Sequence, residues 1–317
     1  MECTSKNLRI VYGDYTLGVH GKNFHYIFSY SQGGLESLVK NGYEWLYRCP
    51  KPTFWRALTD NDRGSKFHIK SGIWLSADMF VDCIDIEVIT DGVSQGKPCA
   101  PENNKYGSDV LASEITVKFV YQTITSPSTK VNVSYTVNNQ GKITVNVLYE
   151  GAKGLPELPV FGLRFIMPTL ADKYAYEGLS GETYPDRMAG AEKGFFEIED
   201  LSLTPYLVPQ ECGMRMNTDW VEITRHTSLN NSRKDSSPQT LKITKKEKTF
   251  AFSCLPYTAT EIENATHHEE LPSARRTVLC VYGAVRGVGG IDSWGSDVEA
   301  AYHIDAEKDI EYSFEIN

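Results

Sequence analysis

Three segments in the middle of the chain alternate apolar and polar residues with a period of two: Ile115 to Tyr121, Val131 to Val137 and Ile143 to Tyr149. Successive side chains of a strand point to opposite faces, so this alternation predicts strands with one face on a core and the other toward water. The second and third are joined by Asn138-Asn139-Gln140-Gly141-Lys142, a polar loop containing glycine that fits a hairpin. Runs rich in Val, Ile, Thr, Tyr and Phe predict further strands at Leu8 to Tyr12, Phe24 to Tyr30, Val160 to Met167 and Trp220 to Thr224. Leu241 to Thr244, Thr249 to Cys254, Val278 to Tyr282 and Ile310 to Ile316 read the same way. Helix signals are few. Thr258-Ala259-Thr260-Glu261 has the pattern of a capping box and predicts a helix through Glu270, stopped by Pro272. Asp91 to Asp109 and Thr227 to Gln239 lack periodicity and read as long surface loops, and neither has the composition of a linker. Residues 1–317 are therefore expected to form one all-β unit, a large antiparallel sandwich with one or few short helices.

Composition narrows the function classes. A net charge of -9, with no basic stripe to offset it, argues against nucleic acid as a partner. No apolar run approaches the ~18 residues needed to cross a bilayer, so no membrane role is expected. The first residues, Met1-Glu2-Cys3-Thr4-Ser5-Lys6, lack the basic-then-apolar pattern of a signal peptide, which points to a cytoplasmic protein. Seven widely spaced cysteines with no C-x-x-C pair suit reduced thiols better than a disulfide framework or a zinc site.

The candidate chemistry is sparse. His267-His268-Glu269-Glu270 offers metal-ligand residue types, but neighbours on a helix diverge by about 100°, so a solvated helix face is the better reading. Asp60-Asn61-Asp62-Arg63-Gly64 has its glycine one position early for a calcium loop, and Ser71 stands where the closing Glu would fall. It reads instead as a structured loop in which Arg56 forks to a carboxylate as a buried ion pair that fixes backbone shape. No metal site is expected on this chain. Carboxylates such as Glu177, Glu182, Asp186, Glu211 and Glu222 are plentiful, yet sequence spacing cannot show that any two face one another as a glycosidase requires. In Gly287-Val288-Gly289-Gly290-Ile291-Asp292-Ser293-Trp294-Gly295, four glycines in nine positions allow a tight loop that holds the Trp294 indole outward. An outward ring packs against the C–H face of a sugar; the competing reading is a core tryptophan capping the sheet. A dinucleotide fingerprint fails there, since its third glycine would fall at Asp292 and no helix pattern follows.

Six stretches, in order, resemble one family. They are Phe54-Trp55-Arg56-Ala57-Leu58-Thr59-Asp60-Asn61-Asp62-Arg63-Gly64, Gly162-Leu163-Arg164-Phe165-Ile166-Met167-Pro168, Glu182-Thr183-Tyr184-Pro185-Asp186-Arg187, Pro209-Gln210-Glu211-Cys212-Gly213-Met214-Arg215, Pro256-Tyr257-Thr258 and Gly287 to Gly295. Together they resemble the C-terminal domain of large bacterial β-galactosidases, and a free chain of this length resembles the small subunit of the two-chain form. The pattern departs at Leu58, where the family usually has proline, and at Gly178-Leu179-Ser180-Gly181, which replaces Gly-x-Gly-Pro.

The resemblance implies a large antiparallel supersandwich similar to galactose mutarotase. It implies a partner large subunit whose TIM barrel carries the catalytic carboxylates, and a β-galactoside such as lactose as substrate. Retaining hydrolysis by two carboxyl groups about 5 Å apart would occur on that partner, leaving this chain without catalytic residues and inactive alone. The resemblance assigns Trp294 to substrate binding and Gly64 to the start of an active-site loop. It places no cofactor on this chain and assigns magnesium and sodium ions to the partner. Two rivals come from other classes: an autonomous mutarotase-like enzyme using His226 or His267, and a non-catalytic carbohydrate-binding module. Optical rotation of α-galactose separates the first from a subunit, and calorimetry of the isolated chain with lactose or galactose separates the second.

Overall fold

The alternating segments pair with one another in a single register. The computed structural model, which describes residues 8–100, 110–230, 232, 237–292 and 294–317, joins Glu114–Gln122, Lys130–Asn138 and Ile143–Tyr149 as consecutive antiparallel strands. Tyr135 sits opposite Val117 on one side and Val145 on the other. Ile115, Val117, Phe119, Tyr121 and their counterparts on the neighbouring strands all fall on the buried face. The Asn138 Oδ1 accepts the N–H groups of Gln140 and Lys142, both at 3.0 Å, which closes the predicted hairpin turn.

These strands belong to a ten-stranded sheet, ordered Lys193–Ile198, Lys173–Leu179, Trp220–Arg225, Gln239–Lys245, Ile310–Ile316, Ile143–Tyr149, Lys130–Asn138, Glu114–Gln122, Asp82–Thr90 and Val93–Ser94. A six-stranded sheet runs Tyr43–Glu44, Gly34–Lys40, Phe24–Ser29, Thr16–His20, Leu8–Tyr12 and Val110–Ala112. A five-stranded sheet runs Arg215–Thr218, Phe250–Leu255, Thr277–Val285, Val160–Met167 and Arg48–Thr53. The large sheet is covered in two places. Phe28 of the six-stranded sheet meets Phe119 and Tyr135, while Phe165 and Phe252 of the five-stranded sheet meet Phe314 and Tyr176. One continuous apolar cluster runs through all three sheets, with each large side chain contributing about 1.5–3 kcal/mol by its removal from water. The all-β antiparallel class expected from the alternation is the one the chain adopts.

Several strands lie where alternation is weak. Arg48–Thr53 contains Pro50 and Pro52, which a central strand cannot hold, but it is an edge strand that leaves the missing N–H groups unneeded. The long loop expected from Asp91 begins instead with an Asp91-Gly92 hairpin that pairs Val93–Ser94 with Thr90 and Ile89; residues 101–109 lie outside the described residues. The predicted helix is shorter than expected. It runs Ala259–Asn264 behind the Thr258 cap, and a separate 3-10 turn, His268–Glu270, follows. Thr266 donates its N–H and hydroxyl to the Glu270 carboxylate, and this local bonding competes with continuation of the helix. Among the described residues no helix is long and apolar enough to cross a membrane.

Candidate functional site

The segment after Arg48–Thr53 crosses the core and turns into the helix Asp60–Gly64. Thr59 caps it: its hydroxyl accepts the Asp62 N–H at 3.1 Å, and the Asp62 carboxylate accepts the Thr59 N–H at 2.9 Å. The same carboxylate takes the expected fork from Arg56, Nη1 to Oδ2 at 2.6 Å and Nη2 to Oδ1 at 3.1 Å. Arg286 donates to Asp62 Oδ1 at 3.4 Å and to Glu157 at 3.0 Å, bonds Asp297 as well, and lies 4.0 Å from the centre of the Phe67 ring. Arg56, Asp62 and Arg286 are all buried. Lys70, 2.8 Å from Asp297, adds a third cation, so three cations face three carboxylates and no large charge is left uncompensated.

This network holds the glycine-rich loop. Arg56 Nη2 donates to the Gly287 carbonyl at 3.1 Å. The Asp186 carboxylate accepts the N–H groups of Val288 and Gly289, at 3.0 and 2.8 Å, while Asn61 and Arg187 donate to the carbonyls of Val288 and Gly289. Asp292 Oδ1 then accepts the N–H groups of Trp294 and Ser296, at 2.9 and 3.1 Å. The Ser296 hydroxyl and these N–H groups hold the Asp292 carboxyl below its usual range. Four stretches far apart in sequence, Phe54 to Gly64, Glu182 to Arg187, Pro209 to Arg215 and Gly287 to Gly295, thus meet; Gln210 accepts the Asp60 N–H at 3.0 Å to bring in the third.

At the end of the loop the Trp294 side chain is 90% exposed. It is not the core tryptophan of the competing reading; Trp45 and Trp74 fill that role. Gly64 and Trp294, separated by most of the chain, come together through Gly295. A Cβ on Gly295 would lie 2.6 Å from the Gly64 carbonyl carbon, and one on Gly64 would lie 2.9 Å from the Gly295 Cα. Gly295 is also left-handed, with φ of 83°. Gly64 is not a turn glycine. It ends the helix without a left-handed φ, and the left-handed residue that redirects the chain into Phe67–Lys70 is Lys66, with φ of 60°. Gly64 is required by the close approach of two backbones, a pairing across sequence that a local pattern cannot reveal.

The carboxylates are employed locally. Glu177 accepts the Trp220 indole N–H at 2.8 Å, and Glu182 accepts the Gly213 N–H at 2.8 Å. Glu211 is buried beside Tyr184, whose hydroxyl donates to it at 3.4 Å, and burial pushes its carboxyl up to about 8 against the pull of Arg56. Among the described residues, Glu157, Asp297 and His303 are close enough to hold a metal ion together, but the Arg286 guanidinium already bonds both carboxylates and supplies the positive charge. His267 and Glu270 are exposed; the N–H and hydroxyl of Thr266 hold the Glu270 carboxyl down at about 2. Both histidines of the mutarotase-like rival prove to have carboxylate partners that no sequence motif showed: His226 is 2.6 Å from Asp172, and His267 is 3.4 Å from Glu270. Neither histidine lines the cavity of about 620 Å³ beside the five-stranded sheet. Sequence reasoning missed Arg286 and the clamping role of Asp186, and the visible signal was only their placement inside or beside the glycine-rich and Glu182 to Arg187 stretches.

Fold and site define an antiparallel β-sandwich protein that presents the exposed Trp294 indole on a loop braced from its interior. The family model described as β-galactosidase small chain matches residues 20–316. The β-galactosidase small subunit of Latilactobacillus sakei is 59% identical over 317 residues, the full length of both chains. The chain is also 36% identical over 316 residues to a β-galactosidase of Halalkalibacterium halodurans, matching 98% of this chain and 28% of that longer one. A galactose mutarotase-like protein from Lactobacillus casei aligns in structure over 95% of this chain and 99% of its own, at 10% identity and a TM-score of 0.42. The chain belongs to the β-galactosidase small-chain family.

Proposed function

We propose that the chain works as the small subunit of a two-chain β-galactosidase that hydrolyses terminal β-galactosides such as lactose, and that Trp294 completes a sugar site shared with the large subunit. The observation that carries this reading is the contrast at Trp294. The chain commits a buried ion-pair network and a capped helix to fixing one loop, yet leaves the largest side chain on that loop almost wholly in solvent. An indole held rigid and uncovered offers a flat apolar face at little conformational cost, which suits the C–H face of a sugar ring. That the longer β-galactosidase of Halalkalibacterium halodurans contains a segment matching nearly all of this chain supports a large partner that supplies the remainder. On this reading the partner's barrel carries the acid and nucleophile of a retaining reaction, together with any magnesium or sodium ions, and the small chain supplies position and shape.

Complementation tests it. The purified chain is expected to leave a chromogenic β-galactoside unhydrolysed, and addition or co-expression of the large subunit is expected to produce turnover. Turnover by the chain alone that disappears on mutation of one of its own carboxylates would overturn the subunit reading. Optical rotation of α-galactose in the same preparation reports the mutarotase alternative, in which the His226–Asp172 pair would be required. Saturable heat from lactose or galactose with the free chain would favour a carbohydrate-binding module.

A further inference from the structure

A cavity of about 620 Å³ lies away from the Trp294 loop, against the five-stranded sheet. Its floor is apolar. Ile166 and Val278 line it and are cross-strand neighbours, with Arg48 opposite Ile166 on the edge strand. Its walls are basic in a chain of net charge -9: Arg48, Arg164, Arg275 and Arg276 line it against the two carboxylates of Asp78 and Glu261. Those carboxylates are already engaged. Asp78 pairs with Arg164 at 2.6 Å, and Glu261 accepts the Thr258 N–H and hydroxyl at 2.7 and 2.8 Å. Among the described residues no carboxylate lies within 4.0 Å of Arg48, Arg275 or Arg276.

The geometry of these guanidiniums favours an anion. Arg276 lies 3.6 Å and Arg48 5.5 Å from the centre of the Tyr47 ring, so one aromatic side chain orients two cations. Arg276 Nε is shut off from solvent without an acceptor, an unusual state for a buried donor. Stacked guanidiniums keep their in-plane N–H groups for a forked acceptor, the geometry that matches phosphate. Thr260, Asn264 and Ser273 add hydroxyl and amide groups suited to a polyol, and the volume falls within the range of small-molecule sites. A neutral galactoside would leave the three guanidiniums without a counter-charge.

We propose that this cavity binds a small phosphate-bearing ligand, a sugar phosphate or phosphate itself, through Arg48, Arg275 and Arg276. The site is independent of Trp294 and of the sugar hydrolysed. Calorimetry of the full chain, alone and with the large subunit, should give saturable binding of galactose 6-phosphate and none of galactose at this site. Each Arg→Gln change at Arg48 or Arg276 should weaken that binding about tenfold, the effect of one charge-assisted hydrogen bond. Arg48→Gln and Arg275→Gln, both at exposed positions, carry the test if Arg276→Gln fails to fold. Inorganic phosphate binding as tightly as the sugar phosphate supports the proposal and identifies phosphate as the whole ligand; tighter sugar phosphate binding supports it and assigns a role to the hydroxyl-bearing wall. Absence of saturable binding by either phosphate overturns it, as does binding undiminished in the Arg→Gln variants. Arg→Gln variants that lose assembly with the large subunit, while the native chain binds no phosphate, would assign the cavity to the subunit interface and also overturn it.

Discussion

Trp294 separates binding from folding because its side chain is already in solvent. Trp294→Ala should leave the melting temperature of the assembled enzyme almost unchanged while weakening substrate binding by roughly 1.5–3 kcal/mol, with Trp294→Phe retaining part. Kinetics and thermal melting of the same variants decide this, and a sharply lowered melting temperature with normal KM would sink the platform role. Glu211 reports a different property. Its carboxyl titrates at about 8 in the folded chain and near 4.5 when exposed, so across that window the unfolded chain releases a proton that the folded chain keeps. The stability associated with Glu211 is therefore fully present below about pH 4.5 and is lost as pH rises toward 8. Glu211→Gln should flatten this decline and raise stability above pH 8 by an amount on the order of 1–3 kcal/mol, read from melting curves between about pH 5 and 9. A variant whose pH dependence parallels the native chain would contradict it.

At the scale of elements, the Asp60–Gly64 helix and the Gly287 to Gly295 loop act as one piece, since Arg56 bonds both Asp62 and the Gly287 carbonyl. Their contact through Gly64 and Gly295 has no slack. Gly295→Ala should be the harsher change: a left-handed alanine costs about 1–2 kcal/mol, and its Cβ also meets Gly64 backbone at 2.6 Å. Gly64→Ala carries no left-handed penalty, so it should displace the loop more than it destabilises the fold, changing kcat and KM together in the assembled enzyme. Normal kinetics with a large loss of stability in Gly64→Ala would show that the contact is structural only. This coupling was only half legible in sequence. The Arg56 fork was foreseen because an arginine stood beside a dense run of carboxylate and amide side chains. The Gly64–Gly295 contact was not, because a glycine needed for close approach looks in sequence like a glycine needed for a turn.

For the molecule as a whole, exposed apolar side chains follow directly on the Gly64 helix: Ile69, Leu75, Met79 and Phe80 are each between 45 and 70% exposed. Such side chains suit a surface that a partner covers. The large subunit, binding only the folded chain, should therefore raise its melting temperature in proportion to the logarithm of excess concentration. A free chain that remains monomeric and melts at the same temperature with or without excess large subunit would count against a constitutive pair.

The sequence by itself determined the all-β class and the hairpin from Lys130 to Tyr149, because period-two alternation and turn chemistry are local properties of a pleated backbone. It also determined the Thr258 cap and the pairing of Arg56 with a nearby carboxylate, both interactions over a few residues. Only the tertiary structure decided that Arg48–Thr53 is a strand, since its prolines are tolerated solely at a sheet edge. Only it brought Asp62, Asp186, Arg286 and the Trp294 loop together, and placed Arg48 and Arg276 around one ring. Contacts across more than a hundred residues depend on sheet order and register, which local patterning does not encode.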